Sequence, residues 1–218
     1  MERRIAMKAK LFLRAFVCLT LLTLTISTSG QNLITFDDLS ETGTGSFLQN
    51  GYHGLNWSNF GCINAVLRQG LYLPSPFLTN GYYYGMVSAS NVAVAGFANP
   101  AEIDSPGPNF NFLSVYLTGQ WNSNLNIEVQ GFGGPNLLYD TNVVANATNP
   151  TLFTFNYLNI DRLLFTPSGG QAAFSPYPPD ETFVMDNLSI EFVPEPSTVL
   201  LAALGALTLC AFLKRKPG

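Results

Sequence analysis

The chain has 218 residues and a formal net charge of −4. Its basic residues lie almost entirely in the two terminal segments, whereas residues 31–193, the body, carry seven Asp and five Glu against Arg68 and Arg162, a net charge of −10. A body this acidic, with no Lys, excludes the electrostatic surface that nucleic acid or anionic lipid requires.

The first thirty residues have the pattern of a secretory signal peptide. Five basic residues open the segment: Arg3, Arg4, Lys8, Lys10 and Arg14. An uncharged, apolar run at 15–26 follows, and then the small residues of 27–30. This order predicts export and removal of residues 1–30. A membrane anchor is the alternative, and the shortness of the apolar run argues against it.

The body alternates apolar and polar side chains with a period of two, which is typical of half-buried strands. The clearest case is Leu125, Ile127 and Val129, each flanked by polar residues. Further strands are predicted at 33–36, 56–60, 110–118, 151–157, 162–166 and 183–192. Turns rich in Gly and Pro separate them, without a convincing amphipathic helix. We therefore predict an all-β body, a single antiparallel β-sandwich of the jelly-roll kind.

Cys62 is the one cysteine of the body, because Cys18 and Cys210 lie in the terminal segments. An intramolecular disulfide is therefore excluded, although export leads to an oxidising compartment. A free cysteine is most often a small buried apolar residue, which is the prediction for Cys62. A body of 163 residues can form an adequate core without cross-links.

The body lacks the sequence patterns of common catalytic sites. It has one histidine, His53, and no nucleophile elbow, zinc-protease motif or phosphate-binding glycine loop. A Ser-His-Asp triad would have to use His53, and nothing in the sequence singles out its partners. Two-carboxylate glycosidase chemistry stays open as a distant alternative. The sequence predicts a protein that is not an enzyme.

Aromatic residues are the candidate ligand-binding groups, as a platform on which sugar rings stack. Trp121 lies in a predicted turn and is the better candidate, whereas Trp57, at the alternating position with Leu55 and Asn59, is predicted to lie in the core. In a strand, Tyr82 and Tyr84 would share one face and Tyr83 the other, so at least one of them is expected to be exposed.

A structural cation, Ca²⁺, is the second candidate site, with Asp38 and Asp186 as ligands. Simple alternation places Asp186 on the same face as Val184 and Leu188, and Asp38 on the face of Phe36. A buried unpaired carboxylate costs several kcal/mol, and oxygen ligands in an extracellular protein suit Ca²⁺. The site requires the first and last strands to be neighbours. The alternative is that turn amides donate to both carboxylates and no ion binds.

The tail has three parts: the motif Pro194, Glu195 and Pro196, an uncharged run at 199–213, and the basic end Lys214, Arg215 and Lys216. The prolines predict an extended break after the body. As a helix the 15-residue run would span roughly 22 Å, less than the ~30 Å of a bilayer core. The basic end marks the cytoplasmic side, so the body lies outside.

These three parts, in this order, resemble the PEP-CTERM sorting signal of exopolysaccharide-producing Gram-negative bacteria. The resemblance implies secretion, membrane attachment through the C-terminal helix, and then processing by an exosortase, a membrane transpeptidase. That enzyme removes the tail and passes the protein towards the cell surface or extracellular matrix. A plain single-pass anchor with a basic stop signal is the alternative.

Three segments of the body, at 34–39, 50–60 and 183–188, resemble a pattern in secreted β-sandwich proteins of bacteria and fungi. That resemblance implies one jelly-roll-like domain similar to carbohydrate-binding modules, which often carry a Ca²⁺ ion. The predicted organisation is a signal peptide at 1–30, the sandwich at 31–193 and the sorting signal at 194–218. The predicted function is that of an exported, non-catalytic surface or matrix protein, with polysaccharide as candidate ligand. The alternatives are a purely structural surface protein and, less favoured, a glycan-active hydrolase.

Overall fold

The computed structural model describes residues 30–68, 80–95, 100–174 and 180–194, together with 204, 205 and 207. Residues Gly30–Val193 form one compact unit. Leu204, Gly205 and Leu207 are helical, while the rest of the apolar run and residues 1–29 of the predicted signal peptide lie outside the described residues. None of the described helices combines the length and the apolar character needed to cross a membrane.

The segments in which apolar and polar residues alternate form β-strands of two to ten residues. Its described residues form fourteen of them: β1 (Gln31–Ile34), β2 (Ser46–Phe47), β3 (Asn56–Ser58), β4 (Phe60–Asn64), β5 (Asn91–Ala95), β6 (Ala101–Asp104), β7 (Phe110–Gly119), β8 (Asn122–Ser123), β9 (Leu125–Gly133), β10 (Asn136–Ala145), β11 (Thr151–Ile160), β12 (Arg162–Ser168), β13 (Gln171–Ala172) and β14 (Phe183–Phe192). Helical structure in the body is limited, within the described ranges, to one 3₁₀ turn at Tyr52–Gly54 and two four-residue helices, Ala65–Arg68 and Gly81–Tyr84.

Two antiparallel sheets enclose the main core. Sheet A runs β11, β7, β14, β5, β4, β2, with β1 also paired to β14, and sheet B runs β10, β9, β12, β6, β3. Strands β8 and β13 pair with each other. Phe165 of sheet B packs against Phe60 and Phe183 of sheet A, with ring centroids 6.0 and 5.7 Å apart. The predicted all-β, antiparallel sandwich is confirmed; its jelly-roll character stays a prediction.

The segment predicted as one strand at 56–60 is divided between the two sheets. Strand β3 pairs with β6 in sheet B, and β4 pairs with β5 in sheet A. Asn59 lies between them with a φ of 59°, a left-handed conformation that Asn tolerates better than most residues. Trp57 of β3 is buried in the main core, as predicted.

Strand β14 departs from simple alternation. Its pairing with β7 shifts register between Asp186 and Ser189, and Asn187 has a φ of 51°. This bulge turns Leu188 into the main core, while Val184 packs in a second cluster. The prediction that Asp186 shares one face with both Val184 and Leu188 is therefore wrong, because an inserted residue reverses the alternation.

The second cluster lies on the outer face of sheet A. Along β5, Ala93 and Ala95 belong to the main core, whereas Val92 and Val94 belong to the second cluster, so the two clusters lie on opposite faces of the strand. The two short helices cover this outer face. Ala65 of one helix and Tyr82 of the other pack into the cluster.

Candidate functional site

The three consecutive tyrosines lie on the helix Gly81–Tyr84 rather than on a strand. Asn80 caps this helix, since its Oδ1 accepts hydrogen bonds from the backbone N–H groups of Tyr82, at 3.1 Å, and Tyr83, at 3.4 Å. Tyr82 is buried, whereas Tyr83 and Tyr84 are half-buried. The helical backbone thus directs one ring into the second cluster and leaves two partly open.

A glycine allows this helix to lie directly against the end of β7. A Cβ on Gly81 would be 2.1 Å from the carbonyl oxygen of Gly119 and 2.5 Å from that of Gln120. The Gly81 N–H donates to the Gln120 carbonyl at 3.0 Å. This close approach brings Tyr82 beside Trp121, with ring centroids 6.2 Å apart.

The four predicted platform residues meet in one aromatic cluster, which also contains Phe174. Trp121 packs edge-on against Tyr82 and Phe174, at interplanar angles of 85° and 83°. Tyr84 and Phe174 lie parallel within 4°, with centroids 6.2 Å apart, and Tyr83 contacts Tyr84. The sequence pattern did not single out Phe174. The structure places it through the backbone bond from Ala173 N–H to the Trp121 carbonyl, at 2.8 Å.

Polar groups surround the buried ring of Tyr82. Gln120 Nε2 donates to the Tyr82 hydroxyl at 2.7 Å, and the guanidinium carbon of Arg68 lies 5.4 Å from the ring centre. Arg68 also donates to the Gly43 carbonyl at 3.3 Å. Burial raises the pKa of the Tyr82 hydroxyl, although nearby Arg68 opposes the rise. The phenol therefore stays protonated at physiological pH.

Asp186 is a buried carboxylate held by groups of the chain itself. Its Oδ2 accepts from the backbone N–H groups of Val87 and Ser88, at 2.7 and 2.8 Å. Its Oδ1 accepts from the Ser88 hydroxyl at 3.0 Å and from the Asn187 N–H at 2.7 Å. Burial raises the pKa of Asp186, and these hydrogen bonds oppose the rise.

Asp38 has a different set of partners. The Tyr52 hydroxyl donates to Asp38 Oδ1 at 2.6 Å, and His53 Nε2 lies 3.6 Å from Asp38 Oδ2. Strands β1 and β14 do pair, as the cation hypothesis required, but among the described residues Asp38 and Asp186 have different hydrogen-bond partners. Within the described ranges, no group of three or more His, Cys, Asp or Glu side chains could hold a metal ion. The donors around Asp186 correspond to the alternative in which turn amides take the place of an ion.

The single cysteine and the single histidine of the body are held in structural positions. Cys62 is buried in the main core, as predicted, and burial together with nearby Glu41 raises the pKa of its thiol to about 12. A thiol with so high a pKa is a poor nucleophile. His53 lies in the 3₁₀ turn with its ring edge against Tyr52, at a centroid distance of 4.6 Å.

The sorting tail begins where the sandwich ends. Val193, the residue before Pro194, donates its N–H to the Asn109 carbonyl at 2.8 Å. Glu195, Pro196 and the basic end Lys214–Lys216 lie outside the described residues. Residues 192–216 match the family model of the PEP-CTERM protein-sorting motif. The chain carries a PEP-CTERM sorting motif. This confirms the resemblance: the protein is exported, anchored in the membrane before cleavage and sorted by an exosortase.

No curated protein matches the chain. Among solved structures, a DUF4465 family protein from Bacteroides caccae is similar at 10% identity, covering 78% of this chain and 96% of that one, with a TM-score of 0.49. A DUF4465 family protein from Bacteroides ovatus has 12% identity, covers 76% and 100%, and has a TM-score of 0.38. The enzymatically active domain of bacteriophage CBA120 tailspike protein 4 has 8% identity, covers 78% of this chain and 20% of that one, and has a TM-score of 0.30.

Proposed function

We propose that the mature protein is a non-catalytic protein of the Gram-negative cell surface or extracellular matrix that binds neutral polysaccharide through the aromatic cluster. The observation that carries this proposal is the assembly of Tyr82–Tyr84, Trp121 and Phe174, which are distant in sequence, on the outer side of sheet A. Four of these rings are half-buried and so keep part of their surface open. Aromatic surfaces beside a few placed polar groups are typical of ligand sites.

The charge of the body selects the class of glycan. With a net charge of −10 over residues 31–193, the body repels polyanionic chains. Neutral sugar chains carry no such penalty, and they offer apolar ring faces to the aromatic side chains. Tyr84 and Phe174 are half-buried and lie parallel to each other, and we assign them the stacking role together with Trp121.

The proposal that the protein is non-catalytic is supported by the positions of its two most reactive side chains. The thiol of Cys62 is buried, and its pKa is raised to about 12. His53 faces Asp38, whose other oxygen accepts the Tyr52 hydroxyl. Neither arrangement supplies an activated nucleophile with a base in hydrogen-bond reach.

The purely structural alternative also has an observation in its favour. Trp121 packs edge-on against Tyr82 and Phe174, the geometry of an apolar cluster that stabilises its neighbours. In that case the rings hold the helix Gly81–Tyr84 on the sheet and bind nothing. The two functions differ in whether removing a half-buried ring changes affinity for glycan or only stability.

A glycan array probed with the mature protein tests the proposal, followed by titration calorimetry of the glycans that bind. We expect Trp121→Ala and Tyr84→Ala each to weaken binding at least tenfold, about 1.4 kcal/mol. Phe132→Ala is the matched control, because Phe132 is a half-buried aromatic residue that lies beneath Arg162 in sheet B, outside the aromatic cluster. The glycan affinity of this variant should equal that of the wild type. Absence of binding across the array would favour the structural alternative, and release of shortened glycans would overturn the assignment as non-catalytic.

A further inference from the structure

A cavity of about 420 Å³ lies next to the aromatic cluster, on the outer face of sheet A. Strands β2, β4 and β5 contribute Ser46, Gly61 and Val94 to its wall, and Arg68 and Tyr82 complete it from the two short helices. Its volume falls in the range of roughly 300–1,000 Å³ that is usual for small-molecule sites. The cavity thus has the size of a binding site for a compact ligand.

Most of the cavity wall is apolar. Ile63 and Val94 belong to the second cluster, and Phe47 of β2, which is largely exposed, also lines the cavity. Gly61 adds no side chain, and a Cβ there would lie 3.0 Å from the Ser46 carbonyl. The close pairing of β2 with β4 therefore favours glycine at position 61, which also keeps the space open. An apolar portion of a ligand can rest on these groups.

Arg68 and Tyr82 bring hydrogen-bond donors to the wall, beside the hydroxyl-bearing residues Thr44 and Ser46. Arg68, one of the two arginines of the body, is positioned by its bond to the Gly43 carbonyl and by the ring of Tyr82. Gln120 Nε2 donates to the Tyr82 hydroxyl, and Arg68 lies within hydrogen-bond reach of the same oxygen; because both groups are donors, the hydroxyl can offer its own hydrogen to a ligand acceptor. That ring is 93% buried, since its relative exposure is 7%. A ligand oxygen that accepts this hydrogen would add a hydrogen bond in a buried setting.

We propose that this cavity is a second binding site, distinct from the glycan platform, for a small amphipathic anion. A carboxylate or similar oxyanion of the ligand pairs with the Arg68 guanidinium and accepts the hydrogen of the Tyr82 hydroxyl, while its apolar part lies on Ile63, Val94 and Phe47. Guanidinium recognises such planar oxyanions in preference to neutral groups. Glu41, which accepts the Ser46 hydroxyl at this edge, disfavours ligands with several negative charges.

The test uses the mature protein and two probes of similar shape, 2-naphthoate and its neutral counterpart 2-naphthalenemethanol, titrated by calorimetry. We expect one saturable site for 2-naphthoate and at least tenfold weaker binding of the alcohol. Arg68→Gln should weaken 2-naphthoate binding at least tenfold, and Tyr82→Phe several-fold. Arg162→Gln is the matched control, because Arg162 is the other arginine of the body and lies in sheet B, paired with Glu102. This substitution should leave the affinity for 2-naphthoate unchanged.

Two further measurements keep the outcome independent of folding defects and of glycan binding. In amide-proton NMR spectra of the unsubstituted protein, 2-naphthoate should shift the signals of Gly61, Ile63 and Val94. Tyr84→Ala, which should weaken glycan binding at least tenfold, should leave the affinity for 2-naphthoate unchanged. Absence of saturable binding up to the solubility limit of the probe, equal affinity for the alcohol, or shifts confined to other residues would each overturn the proposal.

Discussion

Asp186→Ala is the substitution that best tests how the last strand is held in the sandwich. It removes the acceptor from three backbone N–H groups, those of Val87, Ser88 and Asn187. An unsatisfied buried donor costs about 1–3 kcal/mol. Val87 and Ser88 lie on a partly exposed loop, so water can replace part of this loss. Removing the buried negative charge of Asp186 offsets a further part of this cost. We therefore expect the free energy of unfolding to fall by about 2–4 kcal/mol.

Thermal unfolding of the mature protein measures this loss. For a domain of this size, about 2–4 kcal/mol corresponds to a fall in Tm of roughly 5–15 °C. Asp186→Asn keeps one acceptor oxygen, so its Tm should fall less than that of the alanine variant. Asp140→Ala is the matched control, because Asp140 is an exposed carboxylate of β10, and its Tm should stay within a degree or two of the wild type.

The pH dependence follows from the raised pKa of Asp186. For an acid whose pKa is higher in the folded than in the unfolded protein, the stabilisation is present below the unfolded value, about 3.9, and is lost as the pH rises through the folded value. Asp186→Asn lacks this titration. The difference in Tm between wild type and Asp186→Asn should therefore be larger near about pH 4 than at neutral pH.

The same measurements decide between backbone donors and a cation at Asp186. Because the carboxylate already accepts four hydrogen bonds, EDTA should leave the Tm of the wild type unchanged. A fall in Tm with EDTA that added Ca²⁺ restores would refute this reasoning and support the cation hypothesis. An Asp186→Ala variant within about 0.5 kcal/mol of the wild type would refute the structural role altogether.

The other predictions concern the ends of the chain, the packing beneath the platform and the single thiol. Intact mass of protein from the native surface should give a first residue between Ser27 and Asn32 and a last residue between Pro194 and Ser197; recovery of residues 214–218 there would indicate a plain membrane anchor. Gly81→Ala should lower the Tm by roughly 3–10 °C, because its Cβ meets the Gly119 carbonyl, whereas Gly107→Ala, with open space around it, should not. Dithiothreitol should leave the Tm unchanged, since Cys62 is buried and free; a clear shift would reveal pairing between chains.

Local patterns in the sequence were sufficient for the sandwich, the buried cysteine and the sorting tail. Alternation such as that of Leu125, Ile127 and Val129 in β9 reports directly that one face of a strand is buried. The burial of Trp57 and Cys62 follows from the same pattern and from residue type. The tail is recognised from composition and order alone, because a sorting signal is read as a linear segment and needs no tertiary fold.

Only the tertiary structure decided where the alternation breaks and which residues form the candidate sites. Asn59 and Asn187 each adopt a left-handed conformation at a single position where the strand pairing changes. After Asn59 the chain passes from one sheet to the other, and after Asn187 the side chains of β14 change faces. Phe174 reaches Trp121 through a backbone bond between distant segments, and the cavity beside Arg68 forms where β2, β4, β5 and two short helices meet. Such contacts depend on residues far apart in the chain, so no local period encodes them.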